Sequence, residues 1–195
     1  MSSHHFVKEG QEPALFIVDA LSLNLVEPLL EWAPLVAVSD HSLDEVLRWE
    51  IKIDTVFCRP DNVEESRSKV LDQEPVQMVV FENDLLQEGV LFLMGANQNA
   101  VNLVVDLTDN HFEVTKRFPE LQISLISRDV KWTFRAPGHY AKWLPAKSRL
   151  YLRKNCPQQS FVFQGLHESD HGVEVLADGM VDIQSEDVFW VGEHL

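Results

Sequence analysis

The stretch LVAVSDHSLDEVLRWEIKIDTVFC, residues 35–58, decides how the chain is read. Leu35 to Val38 is an apolar run of buried-strand length, and Ser39-Asp40 offers an N-cap. Leu43, Val46 and Leu47 then fall at i, i+3 and i+4, the apolar face of a helix, before Ile53 to Cys58 returns to strand character. One strand, one short helix and a second strand within 24 residues make a βαβ unit.

The same alternation extends in both directions. Upstream lie the apolar run Ala14 to Val18 and a helical pattern over Leu21 to Trp32, with Leu25, Leu29, Leu30 and Trp32 near helical spacing. Downstream come a charged helix over Val63 to Leu71, a strand over Val76 to Phe81, and Asp84 placed to cap an apolar helix over Leu85 to Met94. A strand over Val101 to Val105, a helix over His111 to Phe118 and a strand over Leu121 to Ile126 complete the series. The pattern predicts a doubly wound, mostly parallel, Rossmann-like α/β domain over residues 12–127, its sheet buried on both faces.

From residue 128 the period changes to two. Lys131-Trp132-Thr133-Phe134, Arg149-Leu150-Tyr151-Leu152, Phe161-Val162-Phe163, Val173-Glu174-Val175, Val181-Asp182-Ile183 and Val188-Phe189-Trp190-Val191 read as strands. Ala136-Pro137-Gly138, Asn155-Cys156-Pro157 and Ala177-Asp178-Gly179 read as the turns between them. A C-terminal β-sandwich over residues 128–195 is expected.

The composition narrows the function. Of 195 residues, 31 are Asp or Glu and 16 are Lys or Arg, a formal net charge of −15 that repels phosphate backbones. Nucleic acid and anionic membranes are therefore poor partners. No segment reads as a signal peptide or a membrane span. The two cysteines, Cys58 and Cys156, have neither disulfide-framework nor zinc-finger spacing, and such usage suits a reducing cytoplasm.

Val56-Phe57-Cys58-Arg59-Pro60-Asp61-Asn62-Val63 runs from a strand into a loop. Pro60 pushes Arg59 toward extended geometry, and Asp61-Asn62 is ordinary turn chemistry. Asp40, Asp61 and Asp84 all fall at or just after strand C-termini, where open α/β sheets bind ligands. Each also has a plain structural reading, Asp40 and Asp84 as helix caps and Asp61 as a turn residue. Arg59 reads as a phosphate clamp or a solvated charge, and His111 as facing the cleft or packing against it. Cys58 reads as a small buried residue. His167, His171 and His194 have no ligand spacing, and Trp132, Trp143 and Trp190 read as core residues on strands.

Over nearly its whole length the chain resembles the thiamine pyrophosphokinases, which join an α/β nucleotide-binding domain to a C-terminal β-sandwich. Ser39-Asp40-His41 is similar to the family's Asp-Gly after its second strand, and Cys58-Arg59-Pro60-Asp61-Asn62 to its Gly-Asp-x-Asp-Ser signature. Asn83-Asp84 is similar to its Thr-Asp, and Val105-Asp106-Leu107-Thr108-Asp109-Asn110-His111 to its Gly-Gly-Arg-x-Asp-His loop. Gly165-Leu166-His167-Glu168 and Ser185-Glu186-Asp187 are similar to its Gly-Leu-Lys-(Trp/Tyr) and Ser-Asn-Glu. The glycine pair and one acid of the signature are absent, and Arg59 stands at the missing acid.

The resemblance implies ATP-dependent pyrophosphoryl transfer to thiamine. Asp61 and Asp84 would be catalytic, Asp40, Asp61 and Asp84 would hold Mg²⁺, and Asp40, Arg59, Asn62 and His111 would bind ATP. Ser185 would line the thiamine pocket, and the protein would be a homodimer. The substituted positions leave a second expectation beside it, a non-catalytic relative that binds thiamine, a nucleotide or another small molecule, or serves as a dimeric interaction module.

Overall fold

The computed structural model describes residues 12–135, 138–169 and 172–195, so the predicted turn at Ala136-Pro137 and the candidate His171 lie outside the described residues. The chain divides into two units between Arg128 and Asp129.

Unit 1 is a six-stranded parallel sheet. Its strands are β1 (Ala14–Ile17), β2 (Val36–Ser39), β3 (Thr55–Cys58), β4 (Gln77–Val80), β5 (Ala100–Val104) and β6 (Gln122–Ser127). Their order is β4-β3-β2-β1-β5-β6, every pair parallel. The order reverses between β1 and β5, and such a reversal opens a crevice at the carboxyl ends of the strands.

Alternation along β1 shows how the sheet is covered. Leu15 and Ile17 join Val38, Val56 and Val104 in one fully buried cluster, with Leu43 and Val46 of α2 (Leu43–Arg48). Phe16 belongs to the opposite face. Its ring packs on Phe57, with centroids 4.8 Å apart, and Phe57 meets Phe92 of α4 (Leu85–Gly95) edge-on. Full burial of each such ring is worth about 1.5–3 kcal/mol. The remaining helices of unit 1 are α1 (Leu23–Val26), α3 (Val63–Lys69) and α5 (Asp109–Arg117).

The helix expected over Leu21 to Trp32 is shorter. Four residues of α-helix give way to a 3₁₀ turn over Glu27–Leu30 that carries Pro28, and Trp32 is exposed. Pro28 has no amide hydrogen to continue the helical ladder.

Unit 2 holds two antiparallel sheets. One runs β11 (Leu166–Ser169), β12 (Gly172–Val175), β9 (Arg149–Lys154), β14 (Phe189–His194) and β7 (Val130–Arg135). The other runs β10 (Val162–Gln164), β13 (Gly179–Ser185) and β8 (Gly138–Leu144). Tyr140, Val181 and Ile183 of the second share a core with Leu150, Val173, Phe189 and Val191 of the first. Trp190 is buried, as a strand tryptophan was expected to be, whereas Trp143 is 58% exposed. No helix among the described residues is long and apolar enough to cross a membrane.

Candidate functional site

The loops that leave the carboxyl ends of β1 to β5 carry most of the residues singled out from sequence. Asp40 follows β2, and its Oδ2 accepts from the backbone N–H of Arg59 at 3.1 Å and from Asn62 Nδ2 at 2.7 Å. It thereby ties the β2 loop to the turn after β3. Asn62 donates one amide hydrogen to this bond. Asp61 sits exposed in the 3₁₀ turn Pro60–Asn62, with no side-chain partner among the described residues. Arg59 is exposed, and its guanidinium lies over the Phe81 ring, 5.6 Å from the centroid, a cation–π contact of about 0.5–1 kcal/mol at a wet site.

Asp84 is the N-cap of α4. Its Oδ1 accepts from the N–H groups of Leu86 at 3.0 Å and Gln87 at 3.1 Å. One turn on, Glu88 reaches back so that its Oε1 accepts from the N–H groups of Asn83 at 2.9 Å, Asp84 at 3.2 Å and Glu82 at 3.3 Å. The Asn83 amide chiefly holds the Glu88 carboxyl below the usual carboxylate range, against a smaller desolvation effect. The amides at this helix start face the chain's own carboxylates.

His111 packs rather than faces open solvent: it is buried at the third position of α5. Its Nδ1 accepts from the Thr108 N–H at 2.9 Å in a capping box, so the neutral ring carries its proton on Nε2. Burial is the main cause of a depressed pKa, opposed first by the field of Asp19 and also by those of Asp106 and Asp84. Cys58 is buried, and its thiol is pushed up by burial and next by Asp40, the condition of an inert structural cysteine.

Asp19 is the site residue that the sequence reading passed over. It follows β1 at the reversal of strand order, where its Oδ2 accepts from the Asp106 N–H at 2.7 Å and its Oδ1 meets His41 Nε2 at 3.1 Å. It therefore joins the loops after β1, β2 and β5. The available signal was positional, an acid directly beyond the apolar run Ala14 to Val18.

A resident Mg²⁺ needs several hard oxygen ligands in one place. Among the described residues no three His, Cys, Asp or Glu side chains are grouped to hold an ion. Asp40 and Asp84 each give one oxygen to amides, Arg59 stands beside Asp61 where the resemblance puts an acid, and among the described residues Asp40, Asp61 and Asp84 are not grouped as a cage for Mg²⁺.

Ser185 belongs to unit 2. Its Oγ accepts from Gln159 Nε2 at 2.7 Å, and buried Gln159 also binds the carbonyls of Asp187 and Val188, tying the loop before β10 to the turn before β14. His194 is held between Asp129, 3.1 Å from Nδ1, and the Tyr151 hydroxyl, 2.9 Å from Nε2. His167 lies exposed on β11.

The fold is similar to that of solved thiamin pyrophosphokinases. The thiamin pyrophosphokinase of Geobacillus thermodenitrificans superposes with a TM-score of 0.71 at 11% identity, covering 93% of this chain and 97% of that one. Yeast thiamin pyrophosphokinase gives 0.68 at 8% identity, covering 95% and 87%. The Bacillus subtilis enzyme gives 0.67 at 11%, covering 93% and 98%. No family model and no curated protein matches the chain. At these identities the likeness is one of fold.

Proposed function

We propose that this chain is a non-catalytic relative of the thiamine pyrophosphokinases, a Rossmann-like domain and a β-sandwich retained as a small-ligand-binding module. The observation that carries the reading is the engagement of the loop amides. A nucleotide triphosphate is held by free backbone N–H groups at loops and helix starts, by cations and by metal. Here Asp40 takes the Arg59 amide, Asp19 takes that of Asp106, Asp84 takes those of Leu86 and Gln87, and Glu88 takes those of residues 82–84. Each of these amides already meets a carboxylate of the chain. The single cation at the signature, Arg59, lies over Phe81.

An edge lined by Asp19, Asp40, Asp84 and Asp106 favours a cationic or neutral guest over an anionic one. The neighbours of this fold are named for thiamine, whose thiazolium is a cation, so thiamine is the ligand to try first. By the same likeness the working protein would be a cytoplasmic homodimer.

Calorimetric titration of the whole chain with thiamine, and with a non-hydrolysable ATP analogue with and without Mg²⁺, tests the proposal. Thiamine binding without Mg²⁺-dependent nucleotide binding is the expected result. Mg²⁺-dependent nucleotide binding accompanied by turnover of thiamine would overturn it, and so would binding of neither compound.

A further inference from the structure

Unit 2 contains a cleft of its own. It has a volume of about 400 Å³ and is lined by Lys147, Ser148, Arg149, Glu193 and His194, with buried Leu150 among its walls. That volume lies within the range of small-molecule sites.

Its charge runs against that of the chain. Residues 129–195 carry seven Lys and Arg against nine Asp and Glu, so they hold only −2 of the formal −15. Within the cleft the balance is positive. Glu193 is its one lining carboxylate, and that group is bridged to Lys142 and accepts from the Tyr140 hydroxyl at 3.1 Å. Lys131 stands directly opposite Glu193 in the β7–β14 register. Two cations thus attend one carboxylate before Lys147 and Arg149 are counted.

Those two cations form no ion pair among the described residues. Asp178, whose Oδ1 accepts from the Ala146 N–H at 2.7 Å, is engaged with the backbone of the same turn. Glu174 stands across from Arg149 in the β9–β12 register without closing an ion pair with it.

The backbone supplies an independent observation. Lys147 has φ +65°, in the left-handed region that costs a side chain about 1–2 kcal/mol and that Gly or Asn enters cheaply. The turn is pinned there, with the Lys147 N–H on the Val175 carbonyl at 2.9 Å and the Ser148 N–H on that of Pro145 at 3.2 Å. The Lys147 side chain is thus carried on a turn whose backbone is fixed.

From this geometry we infer that the cleft binds a small anion through a phosphate or carboxylate group. Arg149 offers a planar fork, Lys147 a point charge and Ser148 a hydroxyl to oxygen acceptors, while the fixed His194 ring forms a side wall. The inference stands apart from the reading of unit 1, because none of its residues belongs to that unit.

The ¹⁵N-labelled full chain, titrated with sodium phosphate and separately with sodium acetate at ionic strength matched by chloride, provides the test. Saturable amide shifts at residues 147–149 and 193–194 are expected with at least one of the two, and the one that saturates identifies the group. Lys147→Asn with Arg149→Gln should weaken binding about ten- to a hundredfold, as expected for loss of charge-assisted bonds. Lys147→Asn alone, which relaxes the turn, should fold at least as well as the parent and bind more weakly. Absence of saturable shifts with both anions, shifts located elsewhere, or unchanged affinity in Lys147→Asn would overturn the assignment.

Discussion

Substituting Asp84 separates a structural role from a metal-binding one, because the two make different demands on the same side chain. As a cap, Asp84 supplies one oxygen to two amides of α4, and Asn or Ser supplies an equivalent oxygen. Asp84→Ala removes it and should cost about 1 kcal/mol, within the range of about 0.5–2 seen for such caps. Asp84→Asn keeps the bond and loses only the attraction of a charge for the helix start, about 0.3–1 kcal/mol, at the low end here because salt screens it. If the chain unfolds as one cooperative body, each kcal/mol moves Tm by about 2–4 °C. Thermal unfolding followed by circular dichroism should therefore rank the parent first, Asp84→Asn slightly below it and Asp84→Ala a few degrees lower. Added Mg²⁺ should leave that ranking and each Tm unchanged. A metal ligand behaves otherwise, since an amide is a poor replacement for a carboxylate on Mg²⁺. The reasoning fails if Asp84→Asn falls as far as Asp84→Ala, or if Mg²⁺ raises the Tm of the parent alone.

Three further outcomes can be checked. Gly89→Ala places a Cβ 2.5 Å from Phe16 Cε1, so an overpacking cost of about 1–3 kcal/mol should exceed the roughly 1 kcal/mol gain in helix propensity, and denaturant melts should show a net loss; a rise in stability would mean that the Phe16 ring yields freely. His111 has its pKa lowered in the folded state, so the unfolded chain takes up the proton first as pH falls below about 6.5. Stability should accordingly decline through that window, and His111→Gln, which keeps the N3 acceptor, should flatten the decline; an identical pH slope in the variant would refute this. Arg59→Asp restores an acid beside Asp61 but leaves Asp40 and Asp84 on their amides, so calorimetry should find no Mg²⁺-dependent nucleotide binding, and its appearance would show that one substitution suffices.

The parallel sheet was legible because its signal is local. LVAV, TVFC and VNLVV are buried on both faces and interrupted by short helices, a pattern that few other folds produce. The helix start at Asp84 was legible for the same reason, as a capping residue before an apolar run. What could not be read was which partner each acid would take. Asp40 bonds across 19 and 22 residues and Asp19 across 87, and neither distance leaves a trace in sequence spacing. The strand Gly138–Leu144 was also missed, because His139, Ala141, Lys142 and Trp143 on it are all exposed, and its polar and apolar residues do not alternate cleanly.

Field and hydrogen bonding in unit 1 act in the same direction. Thirteen of the fifteen net negative charges fall on residues up to Arg128, so unit 1 carries nearly all of the repulsion toward anions. A catalytic site must keep donors free and cations or metal in place so that charge on the transferring group is met without reorganisation. In this unit Asp19, Asp40, Asp84 and Glu88 take up loop and helix-start donors, the first two by bonds between loops distant in sequence and the last two locally. Recovering phosphate binding would require breaking several of these bonds together, since freeing one amide leaves the others engaged and the acidic field intact. A single acid introduced at the signature turn acts on neither obstacle, and that is the physical ground of the proposed ligand-binding role.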